Sequence, residues 1–144
     1  KVTLLHVADR PGVAAAVFGP LADANVNVDM IVQSASPDGT TTDMTFTVSR
    51  GDLARVQTIV EQQREAIGFQ ECLTDGDIVK VSVIGVGMRS HAGVAQRMFA
   101  ALSDKGINIH AISTSEIKIS VLISAEYTEL AVRSLHSVYG LDAD

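Results

Sequence analysis

The chain has 144 residues, of which 47% are hydrophobic, 19% charged and 4% aromatic, a composition typical of a compact globular protein and not of a disordered one. The formal net charge of −6 and the scattered basic residues argue against nucleic acid as a partner, and no apolar run reaches the length of a membrane span. Cys72 is the only cysteine, so no intrachain disulfide can form, and we expect a reducing, cytoplasmic setting.

The first part of the chain predicts two strands joined by a helix. Residues 2–8 are β-prone, and Asp9-Arg10-Pro11-Gly12 then ends the strand and opens a helix, with Pro11 suited to its first turn. Asn25-Val26-Asn27 ends the helix and leads into a strand near 27–34. The apolar positions expected on one helical face are Val13, Val17, Phe18, Leu21 and Ala22.

A hairpin, a second helix and a last strand are predicted next. Pro37-Asp38-Gly39 marks the hairpin loop, and the following strand alternates Met44, Phe46 and Val48 with polar residues. Asp52 is predicted to cap a helix whose inward positions are Leu53, Val56, Val60 and Ile67. A short strand around 69–74 would complete a β-α-β-β-α-β unit, which is the ferredoxin-like order.

The same pattern recurs about 81 residues later. Gly12-Val13-Ala14 returns as Gly93-Val94-Ala95, and Asn27-Val28 returns as Asn108-Ile109, with no gap between them. A repeat longer than a typical solenoid unit predicts two copies of one small domain, which we place at residues 1–75 and 76–144. Because units this small bury thin cores, we expect the chain to form a homodimer.

The second copy is predicted to be incomplete. Its elements are a strand through Val79, Val81 and Val83, a turn at Gly85 to Gly93, a helix at Val94 to Lys105, a strand at Asn108 to Thr114, a strand from Ile117 to Ile123, and a helix through Leu130, Leu135 and Val138. Only Tyr139 to Asp144 remain after that helix, too few for a sixth element. The second unit therefore lacks its last strand or borrows one.

Both copies contain a turn that could hold an amino acid. At Asp9 to Ala15 and at Gly87 to Gln96 a strand is followed by a glycine-containing turn and a helix N-terminus, whose free N–H groups and dipole suit a carboxylate. The acids that could receive the ammonium group are Asp9, Asp29, Asp43 and Glu116. Each feature also has an ordinary structural explanation, since Pro-Gly forms many turns and asparagines such as Asn27 and Asn108 often border helices and strands.

The sequence offers no catalytic constellation. Gly85-Val86-Gly87 follows a strand, but Ser90 stands where a dinucleotide-binding turn needs glycine. The four histidines lack metal-ligand spacing, Cys72 has no nucleophile signature, and the phosphate-binding Gly-Lys loop is absent. We therefore expect no catalytic residue, no metal and no cofactor.

Four stretches resemble the regulatory region of aspartate kinase, and the resemblance covers nearly the whole chain. They are Asp9 to Gly12, Val26 to Gln33, Thr42 to Thr47 and Ile112 to Leu122. The most specific segment is Ser113 to Leu122, because ACT domains in general share the glycine-containing turn but not the sequence of this segment. The chain is most similar to the separately made β-subunit of heterotetrameric bacterial enzymes, which consists of tandem ACT domains. This implies an α+β chain of two ferredoxin-like domains.

The resemblance also implies a function, partners and sites. It implies feedback control of aspartate phosphorylation by threonine and lysine, a homodimer, and association with a catalytic kinase subunit. Effectors would lie between the first ACT domain of one chain and the second of its partner. The threonine-type site would use Asp9, Arg10, Pro11, Gly12, Val13, Ala14 and Gln33, facing Asn108 and Ile109. The lysine-type site would use Asn27, Val28 and Asp29 with Ala95, Gln96 and Glu116.

Two other functions are left open at this stage. The kinase's N-terminal Lys-Phe-Gly-Gly motif is absent, so we do not expect this chain to phosphorylate aspartate by itself. The two ACT domains could instead belong to a transcriptional or nitrogen-signalling regulator, although the sequence of the Ser113 to Leu122 segment argues against that. A small enzyme with an active site at the chain interface is the second alternative.

In the kinase family the second ACT domain takes a strand from upstream of the first, which would supply the missing element.

Overall fold

The computed structural model describes residues 1–84, 91–115 and 117–139, and for residues 91 and 92 the backbone alone. The chain divides into two units, Lys1–Gly76 and Asp77–Asp144. None of the described helices is long and apolar enough to cross a membrane.

The first unit has the predicted β-α-β-β-α-β order. Its elements are β1 (Val2–Ala8), α1 (Val13–Asp23), β2 (Ile31–Ala35), β3 (Thr41–Phe46), α2 (Leu53–Gln62), α3 (Arg64–Ile67) and β4 (Glu71–Thr74). The strands form one antiparallel sheet in the order β2-β3-β1-β4, which confirms the ferredoxin-like prediction. Strand β2 begins at Ile31, later than predicted, because Asn25 adopts a φ of 60° and the chain needs several residues to turn from helix to sheet.

The core of this unit lies between the sheet and its helices. The side chains from α1 and α2 that it buries are Val13, Val17, Leu21, Val56 and Val60. Ala22, predicted to face inward, is exposed, whereas Ile67 is buried as expected. The Phe18 and Phe46 rings meet edge to face with centroids 5.2 Å apart.

Asp52 does not cap α2 with its side chain as predicted. A 3-10 turn, Arg50–Asp52, leads into the helix, and no side-chain cap is present. The Asp52 carboxylate instead accepts a hydrogen bond from the Arg55 guanidinium at 3.1 Å. The half-buried Asp52 carboxylate therefore pairs with an arginine three residues later in the chain and not with a backbone N–H group at the helix start.

A β-bulge interrupts the pairing of β1 with β3. Leu4 pairs with Met44 and Val7 with Thr42, so Leu5 and His6 together oppose Asp43. His6 has a φ of 54°, and its N–H donates to the Asp43 carboxylate at 3.0 Å. The bulge puts Val2, Leu4 and Val7 on the core face, although a regular strand would alternate faces at every residue.

Within the described residues, the second unit repeats the order without the final strand. It contains β5 (Ile78–Ile84), α4 (His91–Asp104), β6 (Ala111–Thr114), β7 (Lys118–Ser124) and α5 (Thr128–Val138). The sheet order is β5-β7-β6, all antiparallel. Strand β5 takes the place of β1, and within the described residues no strand pairs with its other edge, as expected for an incomplete unit.

Helix α4 begins earlier than predicted. It starts at His91, so Gly93 lies inside the helix and not in the turn before it. In the first unit Pro11 disfavours a helical conformation at Arg10, whereas Ala92 in the corresponding position places no such limit on His91. Strand β6 begins at Ala111 and not at Asn108, for the same reason as β2.

Candidate functional site

The turn between β1 and α1 leaves the beginning of a helix open. Gly12 is the N-cap of α1 with φ 87°, no side chain caps the helix, and its first turn carries no acid. In the described part of the chain, the N–H groups of Ala14 and Ala15 have no acceptor, and both residues are exposed. Free N–H groups at the positive end of a helix dipole attract anions. This geometry suits the carboxylate of an amino acid.

Three hydrogen bonds hold this turn in place. Ala8 N–H donates to Gly68 O at 2.9 Å, and Asp9 N–H donates to Thr40 O at 3.1 Å. The Arg10 guanidinium donates to Ala66 O in α3. The strand end and the turn are therefore fixed to α3 on one side and to the β2–β3 hairpin on the other. Gly68 permits the close approach, since it has a φ of 77° and a Cβ there would lie 3.2 Å from Ala8 Cβ.

The residues that the resemblance assigns to this turn have different exposures. Asp9, Pro11 and Gln33 are exposed, whereas Val13 is 4% exposed and packs in the core, so only its backbone could meet a ligand. Gln33 lies on the edge strand β2 directly opposite Met44. Directly paired residues point to the same face, so Gln33 stands on the face of the sheet that packs against α1. Arg10 is already engaged with Ala66.

The hairpin that supports Asp9 is closed by the Asp38 carboxylate. Asp38 accepts from Ser36 Oγ at 2.5 Å, from Thr40 N–H at 3.0 Å and from Thr40 Oγ1 at 2.8 Å. These hydrogen bonds favour the ionised form and lower the pKa of Asp38 to about 2, with the Ser36 hydroxyl as the main cause. The sequence predicted a turn here but not this network.

We expect protonation of Asp38 to open the hairpin turn. Because the folded pKa is depressed, the contribution of Asp38 to stability is present above its ordinary value of 3.8 and is lost as pH falls toward about 2. An NMR titration of the side-chain carboxyl carbon should give a midpoint near 2 for the parent chain. Asp38→Asn should remove this pH dependence of the Thr40 amide signal. A midpoint close to 3.8 would contradict the network.

The loop after α1 presents the first-unit residues assigned to the lysine-type site. Val26 N–H donates to Leu21 O at 2.9 Å, and the buried Val26 side chain fixes the end of the helix. Asn27 and Asp29 are then exposed, while Val28 packs against the core. The Arg55 guanidinium donates to Ala24 O at 2.7 Å and ties this loop to α2.

The second unit ends its first helix in the same way. Gly106 has a φ of 70°, Ile107 N–H donates to Leu102 O at 2.9 Å, and Ile107 is buried. Asn108 is exposed and Ile109 packs against the core, matching Asn27 and Val28. The predicted correspondence of the two loops is therefore present in three dimensions.

The second turn lies only partly within the described residues. Residues 85–90 and Glu116 are outside them, so that part of the lysine-type prediction has no structural counterpart here. Ala95 packs against the core and Gln96 is exposed. Tyr139 Oη donates to Val94 O at 2.5 Å, and the Arg97 guanidinium lies 4.8 Å from the Tyr139 ring centroid. The end of α5 thus holds the first turns of α4.

Two further candidates lie outside these loops, the acid Asp43 and the thiol Cys72. Asp43 receives the His6 N–H in the bulge, which uses one of its oxygens. Burial raises the pKa of Cys72, which keeps the thiol protonated. Among the described residues no three histidine, cysteine or acidic side chains cluster as metal ligands.

Comparison with known proteins assigns the fold to a family. ACT domain models match residues 1–68 and 81–139. The regulatory subunit of aspartate kinase from Thermus thermophilus, in its ligand-free form, is 40% identical, with a TM-score of 0.85 over 96% of this chain and 90% of that one. The chain belongs to the aspartate kinase family. It corresponds to the tandem ACT regulatory region of aspartate kinase and not to the catalytic portion.

Other aspartate kinases support the assignment. A structure of aspartokinase alpha and beta subunits is 47% identical, with a TM-score of 0.87 over 96% of this chain and 90% of the matched chain. The aspartokinase of Pseudomonas aeruginosa is 55% identical over 99% of this chain, which spans 34% of that protein's length. Aspartokinase III of E. coli in complex with lysine and aspartate is 26% identical, with a TM-score of 0.62 over 94% of this chain and 30% of that one.

Proposed function

We propose that this chain senses amino acids and thereby controls an aspartate kinase by feedback. The observation that carries the proposal is the open N-terminus of α1 on a braced turn, in a chain of the aspartate kinase family. The N–H groups of the turn at Asp9 to Ala15 can bind a carboxylate, and the oxygens of exposed side-chain amides can accept hydrogen bonds from an ammonium group. The regulated reaction is the phosphorylation of aspartate by ATP, carried out by the kinase part of the enzyme.

The threonine-type site uses the first turn. Asp9 to Ala14 and Gln33 of one chain face Asn108 and Ile109 of a partner chain, with threonine between them. The carboxylate of threonine lies against the free N–H groups of α1, and the exposed amides of Gln33 and Asn108 take its remaining polar groups. Val13 contacts the ligand only through its backbone, and Arg10 stabilises the turn through its hydrogen bond to Ala66 O.

The lysine-type site uses the other loop. Asn27, Val28 and Asp29 of one chain face Ala95, Gln96 and Glu116 of the partner. A lysine ligand carries a second cation that needs an acidic neighbour in a partly buried site, and Asp29 and Glu116 supply carboxylates. The lysine complex of the E. coli relative supports this choice of ligand.

A homodimer that docks on the kinase part completes the proposal. The edge of β5 with which no described strand pairs, and the exposed side chains of Ile31, Ile84 and Ile112, are features that a partner chain would cover. The structure that contains both aspartokinase subunits supports association with a catalytic partner.

Threonine is expected to raise the melting temperature of the chain. A ligand that binds only the folded state stabilises it by about 2.7 kcal/mol at 100 times its Kd. The measurement is a thermal melt followed by circular dichroism with increasing threonine, with glycine as the control that lacks the side chain. Equal shifts for the two amino acids would contradict side-chain selectivity, and no shift for either would contradict the proposed function.

Gln33→Ala should weaken threonine binding by roughly 1 to 3 kcal/mol, the cost of losing a polar partner in a desolvated site. The fold should persist because Gln33 is exposed on an edge strand. Calorimetric titration measures the affinity, and Ser34→Ala, which alters the next exposed residue on the opposite face of β2, is the matched control. Unchanged affinity in Gln33→Ala would remove Gln33 from the site.

A further inference from the structure

An open depression of about 370 Å³ lies where α4 ends and the chain enters β6. It is lined by Phe99, Ser103, Gly106, Ile107, Asn108 and Ile109. Two of these residues, Asn108 and Ile109, are those that the proposed threonine-type site takes from the second unit. Phe99 and Ser103 belong to neither proposed site, although they line the same depression.

The chemistry of this lining suits a small uncharged side chain. Phe99, Ile107 and Ile109 provide apolar surface, and none of the six residues is charged. The Ser103 hydroxyl and the Asn108 amide have no hydrogen-bond partner within the described residues. A cationic side chain placed here would have no carboxylate beside it, whereas a hydroxyl would find a partner and a methyl group an apolar wall.

The internal repeat shows which lining residues are particular to the second unit, and Ser103 is the one that adds a polar group. About 81 residues earlier, the same positions are Phe18, Ala22, Asn25, Val26, Asn27 and Val28. The phenylalanine, the asparagine at 27 and 108, and the two aliphatic residues keep their character. Asn25 and Gly106 differ in side chain but share a left-handed backbone conformation. Ala22 lacks the hydroxyl that Ser103 provides. At these positions the second unit therefore differs from the first by an added hydroxyl at Ser103 and by the loss of the Asn25 side-chain amide at Gly106.

We propose that Ser103 determines specificity in the threonine-type site by hydrogen bonding to the side-chain hydroxyl of the effector. This inference rests on the proposed function and adds a selecting residue to it. The depression forms the side-chain half of the site, and the partner chain's first turn holds the carboxylate.

The test compares threonine with 2-aminobutyrate, which has the same carbon skeleton without the hydroxyl. In calorimetric titrations of the full chain, Ser103→Ala should weaken threonine binding about three- to tenfold, the value of one hydrogen bond, and leave 2-aminobutyrate unchanged. Ala22→Ser, at the corresponding position of the first unit, is the matched control and should leave threonine binding unchanged. Ser103 is exposed on a helix, so thermal melts should show that Ser103→Ala stays folded.

The possible failures are distinguishable. If the parent chain binds threonine and Ser103→Ala loses nothing, or loses affinity equally for both ligands, the role of Ser103 is wrong and the proposed function stands. If Ala22→Ser changes threonine binding as much as Ser103→Ala does, the assignment of the hydroxyl contact to the second unit is wrong. A parent chain that binds neither ligand overturns both proposals.

Discussion

Phe46→Ala is expected to lower the free energy of unfolding of the first unit by about 3 to 5 kcal/mol, a large part of what a small domain possesses. Phe46 is fully buried, pairs with Val2 and Ile31 across the sheet, and packs its ring against Phe18. Removing the ring leaves a cavity at the centre of the sheet. Denaturant unfolding followed by circular dichroism measures the effect.

The matched control is Leu73→Ala in β4. Leu73 is 45% exposed, so the same kind of truncation should cost less than about 1 kcal/mol. Comparable losses for the two variants would mean that Phe46 is not at the centre of this core. We also expect Phe46→Ala to weaken threonine binding, since the turn and hairpin that form the site are built on this sheet.

Gly12→Ala is expected to destabilise the first unit by about 1 to 2 kcal/mol, because a Cβ strains a residue with a φ of 87°. A Cβ at Gly12 meets nothing within 4 Å, so the effect is conformational and not steric crowding. If the strain is relieved by a change of φ, the N–H groups of Ala14 and Ala15 are redirected. Threonine affinity should then fall at least about tenfold, roughly 1.4 kcal/mol.

Gly19→Ala is the control for the same substitution in the same helix. Gly19 lies inside α1, its φ is not positive, and a Cβ there also has free space. Alanine favours a helix over glycine by about 0.5 to 1 kcal/mol, but the Pro20 ring crowds a Cβ on the preceding helical residue, so Gly19→Ala should change stability less than Gly12→Ala and leave threonine affinity unchanged. Thermal and denaturant unfolding give both values, and titration gives the affinities. A neutral Gly12→Ala would contradict the turn conformation.

The parts of the fold that the sequence predicts are those determined locally. Hydrophobic spacing placed the buried positions of α1 and α2, and the repeat predicted two similar units whose first helices end in the same way at Asn25 and Gly106. The exposed loop residues after those helices follow from the same local chemistry.

The parts that the sequence missed depend on contacts between distant residues. Among the residues that the structure describes, five arginines donate hydrogen bonds to main-chain carbonyl oxygens, namely Arg10, Arg50, Arg55, Arg64 and Arg97. Their acceptors are known only when the fold is known, so Arg10 was assigned to ligand contact although its guanidinium is bound to α3. Similarly, the sequence offers Asp43 as an acid for a ligand, whereas in the fold its carboxylate accepts a hydrogen bond from the His6 N–H of the bulge.

The bulge in β1 also governs which length changes this unit can tolerate. Deleting His6 would remove the extra residue of the bulge and leave Val7 on the core face with Val2 and Leu4, because a regular strand alternates faces at every residue. Strand β5 pairs with β7 without interruption from Ile78 to Ile84, so it contains no such extra residue. A single-residue deletion should therefore be tolerated at the bulge of β1, whereas in the middle of β5 it would move the residues on one side of it to the opposite face of the sheet. Changes in length are also accommodated between strand and helix, where four residues separate β1 from α1 and six separate β5 from α4.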